Sequence, residues 1–285
     1  MKELVLSTLA TLTLLTGINA QNNGSLNLSA GKKFLVENKV ITTSTSEMMG
    51  QSMETNASVT SAYTISLDGL KDNNYKMTNS ISALRMSMST VGQNVNFDSE
   101  KKEDMDGPIG TALKGYINQP QSVVMDQSGN IILAKDDDST KATDSSKQTE
   151  IVLKQLGDPR EQGFGAKIAF LPLPKNIARD NAWQDSTSED GVTKVTKYEV
   201  KAINGNIATI SISGTEKRDT KMEMNTMEIS TKTSGKFTGE ETVDIITGVV
   251  QHNNLSEDSA GTISVMGQDI PTTIKVTSET TVKSL

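Results

Sequence analysis

The sequence contains no cysteine and only one histidine, and both absences restrict its chemistry. Without cysteine the chain has no disulfides, no thiolate nucleophile and no cysteine for lipid attachment. Zinc sites in proteins draw on several His or Cys ligands, so we expect no metal. His252 has no orienting carboxylate and nucleophile near it in the sequence, and we expect it on the surface or at the end of a hairpin.

Aromatic residues are scarce at 4%, and hydrophobic residues make up only 34%. The chain nevertheless has 13 methionines, whose flexible side chains suit an irregular apolar surface. A net charge of −7 without a basic stripe argues against a nucleic-acid partner. The sequence also lacks a phosphate-binding glycine loop and a nucleophile elbow. We therefore expect no cofactor and no enzymatic activity.

The first twenty residues are typical of a cleavable signal peptide. Lys2 and Glu3 precede an apolar run over residues 4–15, and Ala20 supplies a small residue for cleavage. The run is too short and too rich in threonine to span a bilayer. We expect a periplasmic or secreted mature protein that is not membrane-spanning and that forms a single β-rich domain over residues 21–285.

A period of two dominates the sequence from residue 32 onward. Apolar or small residues alternate with Ser, Thr and Asn over residues 53–67, which predicts a long half-buried strand. A second strand begins at Tyr75, and its phase slips near Ser82 and Ala83, which we interpret as a β-bulge. Strands of this length twist and curve. The pattern predicts a mainly β fold, with long curved antiparallel strands forming a half-barrel or two similar β halves.

Two short helices are predicted in the middle third of the chain. After Pro108, apolar residues from Ile109 to Ile117 follow a helical spacing, and a second helix is predicted over residues 148–156. The polar, acidic stretch at residues 135–147 has no apolar periodicity and is predicted to be a mobile loop.

The second half of the chain resembles the first in plan. Asn204-Gly205 predicts a hairpin, and a later strand carries Met222 and Met224, then Met227 and Ile229 after a phase slip. Met86 and Met88 hold comparable positions in the first half. This similarity suggests pseudo-repeat halves at about residues 31–134 and 180–285, joined by a loop and helix over residues 135–179.

Several short signatures follow one another along the chain. They are Phe97-Asp98-Ser99, Leu113-x-Gly115, Val124-x-Asp126-x-x-Gly129, Leu173-Pro174 with Asp180-x-x-Trp183, Asp244-x-x-Thr247-Gly248, and Ile270-Pro271. This arrangement resembles an uncharacterised family of exported bacterial proteins common in Bacteroidetes, a domain of unknown function. Arg179 stands where that family usually has glycine, so we expect a different turn conformation there. The predicted fold also looks like the LolA-like lipoprotein-carrier half-barrel, which implies a cavity for acyl chains.

Paired methionines and the apolar face of the first helix suggest an apolar binding surface. We predict that the protein binds a lipid acyl chain or a lipoprotein in a Met-lined concavity. The predicted lining is Met77, Met86, Met88, Tyr116, Ile117, Met222, Met224 and Met227. The alternative is a structural or protein-interaction component of the cell envelope without a ligand cavity. A carboxylate-only enzyme is the third hypothesis, and the oligomeric state stays open.

Overall fold

The computed structural model describes residues 24–48, 50–90, 93–132, 163–189, 191–224, 227–265 and 267–285. The predicted signal peptide at residues 1–20, loop at 135–147 and helix at 148–156 lie outside the described residues. The described strands are β1 (Lys33–Met48), β2 (Gln51–Lys71), β3 (Asn74–Thr90), β4 (Gln93–Asp98), β5 (Gln121–Asp126), β6 (Ile131–Ile132), β7 (Ala182–Glu189), β8 (Val192–Asn204), β9 (Ile207–Met224), β10 (Met227–Asp244), β11 (Val250–Val265) and β12 (Gln268–Ser284). The helices are α1 (Lys102–Met105), α2 (Pro108–Leu113) and α3 (Phe164–Ala169).

All twelve strands belong to one sheet, and their pairings are antiparallel. The order across the sheet is β6-β5-β3-β2-β1-β12-β11-β10-β9-β8-β7, with β4 paired to β3. The sheet is not closed among the described strands, so β6 and β7 lie at opposite edges. The predicted mainly β fold of long antiparallel strands is confirmed. Because β1 pairs with β12, the two stretches that resemble each other form one continuous sheet.

The two faces of the sheet differ because side chains alternate along each strand. On β2, Val59, Tyr63 and Ile65 are buried, whereas their neighbours in sequence are at least partly exposed. We call the face that carries the buried residues the inner face and the opposite one the outer face. The period of two in the sequence therefore reports directly on which residues form the core.

The first phase slip is a bulge, as predicted. Ala62 pairs with Ala83 and Tyr63 with Ile81, which leaves Ser82 as the extra residue on β3. The Ser82 hydroxyl donates a hydrogen bond of 3.1 Å to the Ala62 carbonyl oxygen. Ser82 is thereby held beside the strand it interrupts.

The second phase slip was wrongly interpreted as a slip within one strand. Met222 and Met224 end β9, whereas Met227 and Ile229 begin β10, and Met224 pairs with Met227. A hairpin with a two-residue connection shifts the apolar phase by one position, as a bulge does. The sequence pattern alone did not separate these two structures.

The helices differ in part from the prediction. The helix that starts at Pro108 ends at Leu113, four residues earlier than predicted, and Ile117 instead forms a β-bridge with Ile81. Helices α1 and α3 were not predicted. None of the helices among the described residues has the length and apolar character needed to cross a membrane.

Helix α3 and the segment after it cover one end of the inner face. The ring of Phe164 lies 5.6 Å from that of Tyr63 on β2, and Phe170 packs edge-on against Phe34 on β1 at the same centroid distance. A Cβ atom on Gly165 would lie 2.8 Å from the Tyr63 side chain, so the helix rests directly on the sheet. This contact closes the apolar core at the end where β1 begins.

Candidate functional site

Five of the predicted lining residues lie together in or against the hydrophobic core. Met77, Met86 and Met88 on β3 are 0%, 3% and 9% exposed. Ile117 is buried, and Tyr116 is partly buried against the same core. Met86 is paired with Val59 and Met88 with Ala57, both on the inner face of β2. These methionines therefore pack within the protein interior.

The remaining three predicted residues belong to the β9–β10 hairpin. The backbones of Met222, Met224 and Met227 pair there, and β2, β1, β12, β11 and β10 lie between β3 and β9 in the sheet. The side chains of these three methionines lie outside the described residues, so their place in the predicted lining stays a prediction.

The inner face becomes polar toward the end of the sheet opposite α3. Thr55 donates a hydrogen bond of 3.0 Å to the Thr90 hydroxyl, and the hydroxyls of Ser46 and Thr272 lie 2.9 Å apart. All four residues are buried. Hydrogen bonds between neighbouring strands satisfy these hydroxyls, since buried polar groups without partners would be costly.

Four charged side chains form a buried cluster on the inner face of β8, β9 and β11. Lys194, Glu216, Arg218 and Glu257 are each between 6% and 8% exposed, and we call them the buried charged cluster. Arg218 forms an ion pair with Glu216. The Lys194 ammonium lies 4.6 Å from the centre of the Phe237 ring, which gives it a cation–π contact. Two cations balance two carboxylates, which suits burial.

Burial shifts the protonation equilibria within this cluster. It raises the pKa of Glu257 to about 7, and the nearby Glu216 carboxylate adds to the rise, while Lys194 and Arg218 oppose it. Burial also lowers the pKa of Lys194, although the charges of Glu216 and Glu257 oppose that shift. The charge state of the cluster is therefore sensitive to pH near neutrality.

A second buried acid, Glu241, lies on the inner face of β10. Burial raises the pKa of Glu241 to about 8, although a hydrogen bond from its cross-strand neighbour Asn253 opposes the rise. Tyr198 lies on the same face and stacks on Trp183, with ring centres 4.9 Å apart. Burial, together with the Glu241 and Asp185 carboxylates, raises the pKa of Tyr198.

Two adjoining grooves cross the outer face of the sheet over β9–β12 and β1. The larger groove has a volume of about 840 Å³ and crosses β9 to β12, and the smaller one, of about 550 Å³, extends toward β1. They share Thr238 and Ser256, which lie directly opposite each other on β10 and β11. His252, the single histidine, lines the smaller groove. A third groove of about 210 Å³ crosses β1 to β4.

Glycines lie where neighbouring strands approach each other closely beneath the two larger grooves. A Cβ atom on Gly235 would lie 2.5 Å from the Ser259 Cβ atom, about half the usual cross-strand separation. A Cβ atom on Gly239 would meet the Asn254 carbonyl oxygen. Only glycine allows this approach, so these two positions permit the close packing of the strands under the grooves.

The lining of the larger groove carries three lysines. Lys217, Lys236 and Lys275 are exposed, and Asp258 is the exposed acid among them. Most of the other lining residues are Ser or Thr. Such a surface can donate charged and neutral hydrogen bonds to a ligand, and the carbon atoms of its side chains supply most of its accessible area.

Sequence reasoning missed the buried acids and the outer grooves. Glu240 and Glu241 alternate across their strand, so Glu240 is exposed while Glu241 is buried. The phase of Ile210 and Ile212 on β9 also places Glu216 and Arg218 on the inner face, a signal that could have found them. Within the described residues, no group of three or more His, Cys, Asp and Glu could hold a metal ion.

The chain belongs to a family whose function is unknown. The model of the family of unknown function DUF6263 matches residues 72–250, which is more than half of the chain. The expected membership of an uncharacterised family is therefore confirmed. No curated protein matches the chain significantly.

Solved structures resemble this chain only distantly. An outer membrane channel from Pseudomonas putida is 9% identical, with a TM-score of 0.25, and the match covers 92% of this chain and 98% of the other. Pseudomonas aeruginosa OccK7 is 7% identical, with a TM-score of 0.27 and coverages of 90% and 100%. The translocator domain of the autotransporter NalP from Neisseria meningitidis is 7% identical, with a TM-score of 0.23 and coverages of 90% and 90%. At these scores the likeness carries no argument about this chain.

Proposed function

We propose that this protein is an exported, non-enzymatic component of the cell envelope that binds its partner on the outer face of the sheet. The observation that carries the proposal is the pair of adjoining grooves that share Thr238 and Ser256. The packing of Met77, Met86 and Met88 in the core supports the outer face over the inner one. Export is inferred from the predicted signal peptide at residues 1–20.

Filling the grooves tests this proposal. In the double variant T238W/S256W, two indole rings would occupy the junction of the two grooves. We expect wild-type residues 21–285 to co-sediment with envelope fragments of the cells that naturally produce the protein. We expect the double variant to lose most of that association while keeping the wild-type midpoint of urea unfolding.

A matched control comes from the same face of the sheet. Thr64 and Ser80 are a hydroxyl pair directly opposite each other on β2 and β3, and neither lines a groove described above. The variant T64W/S80W should co-sediment like the wild type. Equal co-sedimentation of the two double variants, or no association of the wild type, would overturn the proposal.

The second candidate is a carrier of an apolar ligand, such as an acyl chain or a lipoprotein, with a LolA-like cavity. One observation favours it: Met77, Met86, Met88 and Ile117 are gathered on the inner face, and Tyr116 packs against the same core. Native and organic-extracted mass spectra of residues 21–285 from an exporting host separate the candidates. A lipid bound at about one per chain would favour the carrier, and a ligand-free mass would favour the outer face.

A further inference from the structure

Three lysines stand close together on the outer face of an otherwise acidic protein. Lys217, Lys236 and Lys275 extend from β9, β10 and β12 into the larger groove. The net charge of the whole chain is −7, so this groove differs in sign from the average surface. Such a local positive patch attracts negatively charged ligands.

The strand register fixes the spacing of the three ammonium groups. Lys236 and Lys275 are both partners of Asp258, one on each side, which sets their backbones about 10 Å apart. Lys217 lies one strand beyond Lys236 and two residues along, which corresponds to roughly 8 Å. The lysines therefore form a row across four strands that suits repeated negative charges on an extended chain.

The charges in this row are available to a ligand. Lys275 and Asp258 approach to 3.8 Å, but both side chains are more than 70% exposed, and exposed pairs of this kind are weak. Lys217 and Lys236 form no ion pair with any residue that the structure describes. Hydroxyls of Thr215, Ser234 and Thr273 lie among the lysines and can bind a polyhydroxylated ligand.

We propose that the larger groove binds an anionic glycan, a polysaccharide that carries carboxylate or phosphate groups. This inference rests on the proposed function, since it names the partner of the same surface. A glycan fits better than a nucleic acid, because the groove has no aromatic side chain on which a base could stack. It fits better than a lipid surface, because none of the exposed large apolar side chains among the described residues lines the larger groove.

The proposal is tested by binding of alginate, a carboxylated polysaccharide, to residues 21–285. We expect saturable binding at low salt that falls steeply toward 1 M salt, where the screening length shortens to about 3 Å. Neutral dextran should not bind. The variant K217Q/K236Q/K275Q should bind alginate more weakly, from about threefold up to about a hundredfold, since each exposed charge contributes up to roughly fivefold.

The control variant carries the same change in net charge elsewhere. Lys33, Lys71 and Lys76 are exposed residues of β1, β2 and β3 that do not line the groove. The variant K33Q/K71Q/K76Q should bind alginate like the wild type. The variant D258N should bind it more tightly, since it removes a negative charge from the groove lining.

Three results would overturn the proposal that the groove binds an anionic glycan. They are equal binding by the two triple variants, equal binding of dextran and alginate, and tighter binding of single-stranded DNA than of alginate at the same charge concentration. Alginate binding can be absent while association with the envelope still depends on Thr238 and Ser256. In that case the proposed function stands, with a partner of another class. If alginate does not bind and envelope association does not depend on Thr238 and Ser256, the outer face is not the binding surface.

Discussion

Replacing Glu241 by glutamine should make the protein less sensitive to pH. The folded protein holds a proton on this buried carboxyl that the unfolded chain releases, because burial raises its pKa from 4.5 to about 8. The unfolded state therefore binds fewer protons between those two values. Stability then falls as pH rises from about 4.5 to about 8, and the contribution is level outside that window.

The size of the effect follows from the same difference in pKa. At about 1.4 kcal/mol for each pH unit, the loss has an upper limit of roughly 5 kcal/mol. Entry of water and relaxation of the neighbours reduce it, so we expect a loss of about 2–5 kcal/mol in the wild type. Glutamine keeps the shape of the protonated acid and carries no charge, so E241Q should lose far less over this window.

Urea unfolding of residues 21–285 at intervals from pH 5 to pH 9 measures this directly. The fluorescence of Trp183, which stacks on Tyr198, reports the loss of the inner face. E240Q is the matched control, because Glu240 is the exposed neighbour on the same strand. A wild-type pH slope in E241Q would refute the assignment of the buried proton to Glu241. A residual slope below pH 7 is expected from Glu257.

Two further predictions concern packing. Met77→Ala should lower the free energy of unfolding by about 2–5 kcal/mol, because it opens a cavity at a fully buried position, whereas Thr78→Ala beside it should change little. A change below about 1 kcal/mol in urea unfolding would show that Met77 lines empty space instead. Gly239→Ala should destabilise by roughly 1–3 kcal/mol, because its Cβ atom would meet the backbone of β11. An unchanged thermal midpoint in that variant would contradict the close approach.

The sequence was sufficient for the parts of the fold that depend on local alternation. The bulge at Ser82 was predictable because the apolar phase of β3 changes while both flanking segments keep strand character. The hairpin between Met224 and Met227 was not predictable from the sequence, because Asn225-Thr226 lacks the glycine that marks most tight turns. A bulge and a two-residue turn give the same phase change, and only the strand pairing distinguishes them.

The candidate site was less accessible to sequence reasoning because it depends on contacts between distant strands. Strand phase places Glu216 and Glu257 on the inner face, but it does not give their neighbours. Glu216 lies directly opposite Lys194, and Glu257 lies opposite Phe237 on the next strand pair, so the cluster depends on strand order and register. The lysine row depends likewise on a register that joins residues far apart in the sequence. Periodicity reports the face of a residue, whereas strand order and register decide its neighbours.

Side chains alternate between the two faces of β10, so residues that stabilise the core and residues that would bind a ligand are neighbours on this strand. Lys236 points into the outer groove, and Phe237, the next residue, is buried under the Lys194 ammonium. A change at Lys236 therefore removes a charge from the proposed ligand surface and leaves the core intact. A change at Phe237 disturbs the buried charged cluster and leaves the groove lining in place. If ligand binding occurred on the inner face, these two neighbours would exchange roles, with Phe237 variants losing ligand and Lys236 variants keeping it.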